Sequence, residues 1–487
     1  MSQAETDIND LSVREIARRY RSRELSPVDV VDACLARIDA LNPTLNAFVT
    51  LTDDAARKAA KEAERQLRSG DDLPLLFGVP FSVKDTLPTE GVRTTFGSRL
   101  FSDVVPAEDA AAVAAVKRAG GILLGKTNSP TLGWIGATHN KLFGTTPNPW
   151  NLSVTAGGSS GGTAVAASTG MTPVNIGTDG GGSLRLPASF TGTVGFKPSY
   201  GRVPNYPTGP NWGLQHIGPI ARSVDDIAVA LDALAVADDR DPYSLPPGQP
   251  RFANVLERPP ARLRILFAPD LGFAESVDPE VVAICRAAVE SLQQAGHDVT
   301  ERVPGWSSPM DAWQTLFVAG IAARLGPFVA ERSHDIEDKL REFIADGQRM
   351  GPDTYYRAWL AKNDWWQEIQ PTFEQYDILV TPTVACPPFA VGRDTAGSVA
   401  GKPVSFYGWA PFTAPFNMTG QPAISIPAGF TRSGLPVGMQ IVGRRFADDV
   451  LLATAAAFER ICPWPTTLPP LSADIVAKAA GAARMPA

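Results

Sequence analysis

Thr155-Ala-Gly-Gly-Ser-Ser-Gly-Gly162 opens the stretch that decides the fold, and Pro173-Val-Asn-Ile-Gly-Thr-Asp-Gly-Gly-Gly-Ser-Leu-Arg-Leu-Pro187 closes it. Glycine lets a backbone pass close to another group or adopt positive φ, and two serines, Ser159 and Ser183, each stand directly behind such glycines. Flexible linkers share this composition. Here each run abuts packed structure: the small residues from Gly161 to Gly170 read as a helix, and Pro173 to Ile176 reads as a buried strand leading into Gly-Thr-Asp. A phosphate-binding loop needs a lysine directly after its last glycine, whereas Gly162 is followed by Thr163. A dinucleotide-type reading of Gly177 to Gly182 lacks the following long helix and acidic partner.

Working outward, elements of both kinds alternate. Toward the N-terminus, helical patterning starts near Asp10 and restarts at Ser26-Pro27-Val28-Asp29, a capping box with proline in the first turn, to run to about Leu41. A charged helix follows from Ala55 to Ser69, then an apolar strand from Leu76 that ends in Lys84 and Asp85. Ala107 to Gly120 reads as a helix, Gly121 to Gly125 as a strand, and Lys126 to Trp150 as a long loop. Loops of that length are often functional.

Toward the C-terminus come a loop from Gly195 to Leu214, a helix capped by Ser223, and a proline-rich, linker-like segment from Asp238 to Pro260. A strand from Leu263, a helix from Pro279 to Ala295 and a helical region from Trp306 to Tyr376, whose Trp313, Trp359, Trp365 and Trp366 read first as core and otherwise as walls of a substrate pocket, precede three apolar strands at 377–381, 423–426 and 437–442. Asp448 to Arg460 closes with a helix. This alternation predicts an α/β fold, a single large domain with a central mixed β-sheet covered by helices on both faces. Its expected divisions are a helical segment over 1–70 packed on the core, the α/β domain over 71–462 with a helical excursion near 300–376, and a tail over 463–487 that wraps the surface or frays.

Composition narrows the partners. The chain has 487 residues, 44% of them hydrophobic and 20% charged, ordinary for a soluble globular protein. A net charge of −7 weighs against nucleic acid. Neither a signal peptide nor an apolar run of about 18 residues is visible, so no membrane partner is expected. Cys34, Cys285, Cys386 and Cys462 are scattered without metal-ligand or disulfide spacing, which suits a structural role in a reducing, cytoplasmic compartment.

A serine nucleophile needs a base and an oxyanion site. Of four histidines, His297 and His334 read as surface residues, while His139 and His216 sit in loops without a triad context; there is no Gly-x-Ser-x-Gly elbow. Lysine serves as base if burial makes its amine neutral near pH 7. Lys84, behind an apolar strand, is the lysine whose context suggests this, although the segment alone leaves open a solvent-facing strand end or a pair with Asp85.

Gly78-Val-Pro-Phe-Ser-Val-Lys-Asp85, Gly157-Gly-Ser-Ser-Gly-Gly162 and Gly177-Thr-Asp-Gly-Gly-Gly-Ser-Leu-Arg-Leu-Pro-Ala188, in that order, resemble the amidase signature family. Echoes at Gly125-Lys-Thr-Asn128, Asn148-Pro-Trp-Asn151, Gly195-Phe-Lys-Pro198, Gly218-Pro-Ile-Ala-Arg-Ser223 and Asn417-Met-Thr-Gly-Gln-Pro-Ala423 extend the likeness over roughly Leu11 to Arg460. The resemblance implies a Ser-Ser-Lys triad: Ser183 as nucleophile, Ser159 behind a cis peptide as proton relay, and neutral Lys84 as base. It implies an oxyanion hole of backbone N–H groups from Gly180, Gly181, Gly182 and Ser183, with Asp179 and Arg185 holding the loop and no metal or cofactor.

Departures are Ala156 for a common proline, Leu184 for isoleucine, Gly180 for a larger residue, and Ala410, where glutamine-hydrolysing members tend to carry an acid. The expected function is thus a serine hydrolase of hydrophobic or aryl amides, with carbamates and esters in reach of the same chemistry; the alternative is the glutamine-hydrolysing component of an amidotransferase. Substrate-facing positions are expected at Gly133, Trp134, Ile135, Trp212, Phe416 and Ile441, apolar or aromatic residues that suit a neutral small-molecule amide or carbamate. A monomer or homodimer is expected.

Overall fold

One mixed sheet of 11 strands runs through the computed structural model, which describes residues 7–68, 73–246, 251–258, 260, 262–466 and 468–483. The strands are β1 (Phe48–Leu51), β2 (Pro80–Lys84), β3 (Ile122–Thr127), β4 (Val174–Asp179), β5 (Val194–Lys197), β6 (His216–Ala221), β7 (Arg264–Phe267), β8 (Asp298–Glu301), β9 (Ile378–Pro382), β10 (Ala423–Phe430) and β11 (Pro436–Gly443). They lie in the order β1-β3-β2-β4-β6-β5-β10-β11-β9-β7-β8. β2 is parallel to both β3 and β4, and β7 is parallel to both β8 and β9; the remaining pairings are antiparallel.

The expected mixed sheet is therefore present, with β1, β5, β6 and β8 added to it. β8 reads Asp-Val-Thr-Glu, short and largely exposed, so it carries no apolar run to read. The central strands are buried throughout, which is why they read as continuous apolar stretches rather than alternating ones.

The capping box at Ser26 is formed: Ser26 Oγ accepts from Asp29 N–H at 3.2 Å and Asp29 accepts from Ser26 N–H at 2.8 Å. The helix it starts, Pro27–Leu45, passes through Pro43 and places Val31, Leu35, Ile38 and Leu41 in the same apolar cluster as β2, β4 and β6. The N-terminal helices thus share the sheet's core. The boundary expected at 70/71, the helix end at Ser69 and residues 247–250 of the linker-like segment lie outside the described residues.

Helices Met310–Leu325, Asp338–Arg349 and Pro352–Gln375 form the excursion, and they pack on a separate cluster that contains Trp134, Trp313 and Phe317. The tail forms a helix, Pro470–Ala483, with Ile475 and Val476 against the main cluster. Its alanines favour a helix, and tertiary packing supplies what a lone helix of that length lacks. No helix among the described residues is long and apolar enough to cross a membrane.

Candidate active site

Lys84 ends β2, and all five residues of that strand are buried. Its amine lies 2.7 Å from Ser159 Oγ and 2.8 Å from Thr178 Oγ1. Burial pushes its pKa down to about 7, with the Asp179 carboxylate pulling the other way. The two alternatives left open by the strand are thereby answered. Lys84 is wholly buried, and Asp85 instead accepts from Thr95 N–H at 3.1 Å.

Ser159 follows a cis Gly158–Ser159 peptide and precedes the helix Gly161–Ser168. That helix comes close to its neighbours because its first two residues are glycines: a Cβ on Gly162 would stand 2.5 Å from Asn128 N and 2.6 Å from Ala47 O. The two glycine runs are tied together by Ser160, whose N–H donates to Ser183 O at 3.2 Å and whose hydroxyl donates to Thr178 O at 3.1 Å.

Ser183 sits in the turn between β4 and the helix Arg185–Thr191. Asp179 organises this turn, accepting from Gly182 N–H at 2.6 Å, Leu184 N–H at 3.1 Å and Arg185 at 2.9 Å on each of its oxygens. Arg185 also donates to Gln440 Oε1 at 2.7 Å and to Asn417 Oδ1 at 2.6 Å, while Asn417 donates back to Asp179 Oδ1 at 2.8 Å. Burial alone would raise the Asp179 carboxyl, but the Arg185 guanidinium holds it well below the usual carboxylate range.

Both members of this pair are wholly buried. Removing one leaves an uncompensated charge, at a typical cost of about 3–5 kcal/mol. Arg185→Met is therefore expected to lower the urea midpoint of unfolding by a corresponding amount. A midpoint unchanged from wild type would show that the turn is held by other contacts.

The four backbone donors expected for an oxyanion are not equivalent. Gly182 N–H is committed to Asp179, whereas the amides of Gly180, Gly181 and Ser183 have no protein acceptor among the described residues. Gly182 is thus a correction to the expected set. Its φ of +130° is one that glycine alone adopts easily, and it turns the N–H back onto the carboxylate.

Ser183 opens on a narrow cavity, about 30 Å³ of free volume, walled by Gly133, Trp134, Ile135, Trp313, Tyr407, Trp409 and Ala410 among others, none of them charged. Gly133 joins this cavity to the lysine: a Cβ there would lie 2.9 Å from Ser159 Oγ and 3.6 Å from Lys84 Nζ. Trp313 Nε1 donates to Gly180 O at 2.9 Å, so an indole rests on the turn itself.

Of the six expected substrate-facing residues, Gly133, Trp134 and Ile135 line this cavity. The other three lie elsewhere. Phe416 is wholly buried with its ring 6.0 Å from that of Trp365, Ile441 is wholly buried in the sheet's main cluster, and Trp212 is 46% exposed at the rim of a different cleft. Apolar character marks these positions, but it serves core packing equally well.

Sequence reasoning misses Thr178, Tyr407 and Trp409 as site residues. Trp313 reads first as core, with a pocket wall as the alternative it shares with the other tryptophans of its region, and nothing near it in the chain signals that its helix folds back over Gly180. Of the histidines, His139 is 2.7 Å from Asp394, and His216 lies buried on β6 with Nδ1 on Leu214 O. His297, expected on the surface, is 9% exposed and accepts from Leu263 N–H. Among the described residues no group of three or more metal-ligating side chains is gathered.

A buried lysine on one serine, a second serine at the head of a carboxylate-braced glycine turn, and free amides beside it are the parts a serine hydrolase needs. Comparison with known proteins bears on which one. The Amidase family profile matches residues 29–452. An acylamidase of Rhodococcus erythropolis is 36% identical over 470 residues, covering 96% of this chain and 98% of that protein. A glutamyl-tRNA(Gln) amidotransferase subunit from Geotalea daltonii is 34% identical, covering 94% and 98%. The crystal structure of a bacterial aryl acylamidase of the amidase signature family superposes with a TM-score of 0.88 at 33% identity, covering 96% and 98%. The chain belongs to the amidase signature family, and it is an amide-hydrolysing enzyme.

Proposed function

We propose that this enzyme hydrolyses hydrophobic and aryl amides, and carbamates and esters by the same route, through an acyl-enzyme on Ser183. The observation that carries this reading is the Lys84 amine, buried, without an ion pair among the described residues, and 2.7 Å from Ser159 Oγ. Ser183 Oγ attacks the carbonyl carbon. Its proton passes to Ser159 Oγ, and the Ser159 proton to Lys84 Nζ. The tetrahedral oxyanion is held by the amides of Gly180, Gly181 and Ser183; one such donor typically contributes about 3 kcal/mol. The intermediate collapses as the proton returns along the same path to the leaving amine. Water then attacks the acyl carbon with its proton taken by the same relay, freeing the acid and Ser183.

The cavity supports a neutral acyl or aryl group. A glutamine substrate brings a charged ammonium and carboxylate, and burying these without partners is costly; Ala410 and its neighbours offer none. An apolar cavity of about 150 Å³ is what accommodates a benzene ring, so entry of an aryl group requires the walls of this cavity to give way. Similarity to amidotransferase subunits keeps glutamine as the second reading. A cytoplasmic setting accords with four free thiols, three of them buried.

The test is a mass-spectrometric product assay on an aryl anilide, an aryl carbamate, a linear 6-aminohexanoate oligomer, an aliphatic amide and glutamine. Release of arylamine from the anilide or carbamate is expected. Turnover of glutamine alone would establish the second reading instead.

A further inference from the structure

Asn417 also borders a cleft of about 610 Å³ that the proposed reaction does not use. Trp212, Tyr243, Trp359 and Trp366 wall it, and Lys362 and Arg445 bring two positive charges into it; no carboxylate lines it. Its floor is the Asn417–Gly420 segment, and the Asn417 side chain is bonded through to Asp179 and Arg185.

The cations are unusually placed. Neither Lys362 nor Arg445 makes an ion pair among the described residues. Lys362 Nζ lies 4.6 Å from the centre of the Trp359 ring and donates to Gly213 O at 3.1 Å. Burial, and then the like charge of Arg445, lower its pKa to about 8. Two cations that repel across a partly dry cleft are relieved by a bound carboxylate.

The aromatic walls point the same way. The rings of Trp212 and Tyr243 meet at 56° and those of Trp212 and Trp359 at 61°, with centroids 5.7 and 6.2 Å apart. Trp212 and Tyr243 remain 46% and 45% exposed at the rim, a costly display for a soluble surface unless a flat apolar group covers them.

We propose that this cleft is a second small-molecule site, built for a flat aromatic carboxylate whose ring lies among Trp212, Tyr243 and Trp359 and whose carboxylate meets Lys362 and Arg445. Calorimetric titration of the purified enzyme with 2-naphthoate tests this, alongside acetate and 2-naphthylmethylammonium. Saturable 1:1 binding of naphthoate is expected, at least tenfold weaker for acetate and for the ammonium analogue. Lys362→Met and Arg445→Met are each expected to weaken it at least tenfold; Arg445 is exposed, so its variant tests the site without disturbing the fold. Neither residue lines the Ser183 cavity, so the outcome is independent of the amide-hydrolysis reading. Absence of saturable binding, equal affinity for the ammonium analogue, or affinity unchanged in both variants would overturn the proposal.

Discussion

Ser183→Ala is expected to abolish arylamine release, by a factor on the order of 10⁴ to 10⁶, the range seen when a covalent hydrolase loses its nucleophile. The magnitude follows from the role. With no Oγ there is no acyl-enzyme, and the free amides of Gly180, Gly181 and residue 183 can only polarise a carbonyl for attack by water. Folding should be unaffected, because the Ser183 side chain makes no hydrogen bond among the described residues and the turn is held by Asp179 through Gly182, Leu184 and Arg185. Circular dichroism and the urea midpoint check that. Activity above a tenth of wild type in a folded variant would remove Ser183 from the role of nucleophile.

The second large effect is at Lys84. Lys84→Met is expected to lower kcat/KM by roughly 10²- to 10⁴-fold, the usual contribution of a positioned general base. The same group sets the pH dependence. With the neutral amine as the proposed base, activity should rise tenfold per pH unit below about 7 and level off above it, and this limb should vanish in the variant.

Stability runs in the same direction. The folded-state pKa of Lys84 lies below its unfolded value near 10.5, so the unfolded chain binds more protons between about 7 and 10.5 and stability increases with pH across that window. At pH 6 the full penalty of a buried ammonium is present. Lys84→Met should therefore melt no lower than wild type at pH 6 while losing its activity. A wild-type profile flat from pH 5.5 to 8.5 would show that Lys84 is not the base.

Much of the site is legible because its chemistry is local. The glycine runs, the serines behind them and a lysine closing an apolar strand are each readable within ten residues, and their order carries the family resemblance. The strands that escape reading do so for a physical reason. β8 is exposed and polar, and β6 begins with His216 after a loop whose aromatics and prolines dominate its appearance. Phe416 and Ile441 are misplaced by sequence reasoning because an apolar side chain is the same object in a core and in a pocket. Gly182 is miscounted among the oxyanion donors because composition shows that a glycine can turn, not which way its N–H points.

By itself the sequence determined the α/β class, the pairing of each catalytic candidate with the element that carries it, and a lysine whose apolar approach predicts a depressed pKa. Those follow from interactions between near neighbours along the chain: capping, periodicity and backbone freedom. Only the tertiary structure decided that Lys84 meets Ser159 rather than Asp85, that Asp179 takes the Gly182 amide, that Trp313 from the excursion rests on Gly180, and that Trp212 belongs to another cleft. Each of these contacts joins residues far apart in sequence or depends on a bond direction, and both are set by how the helices close over the sheet.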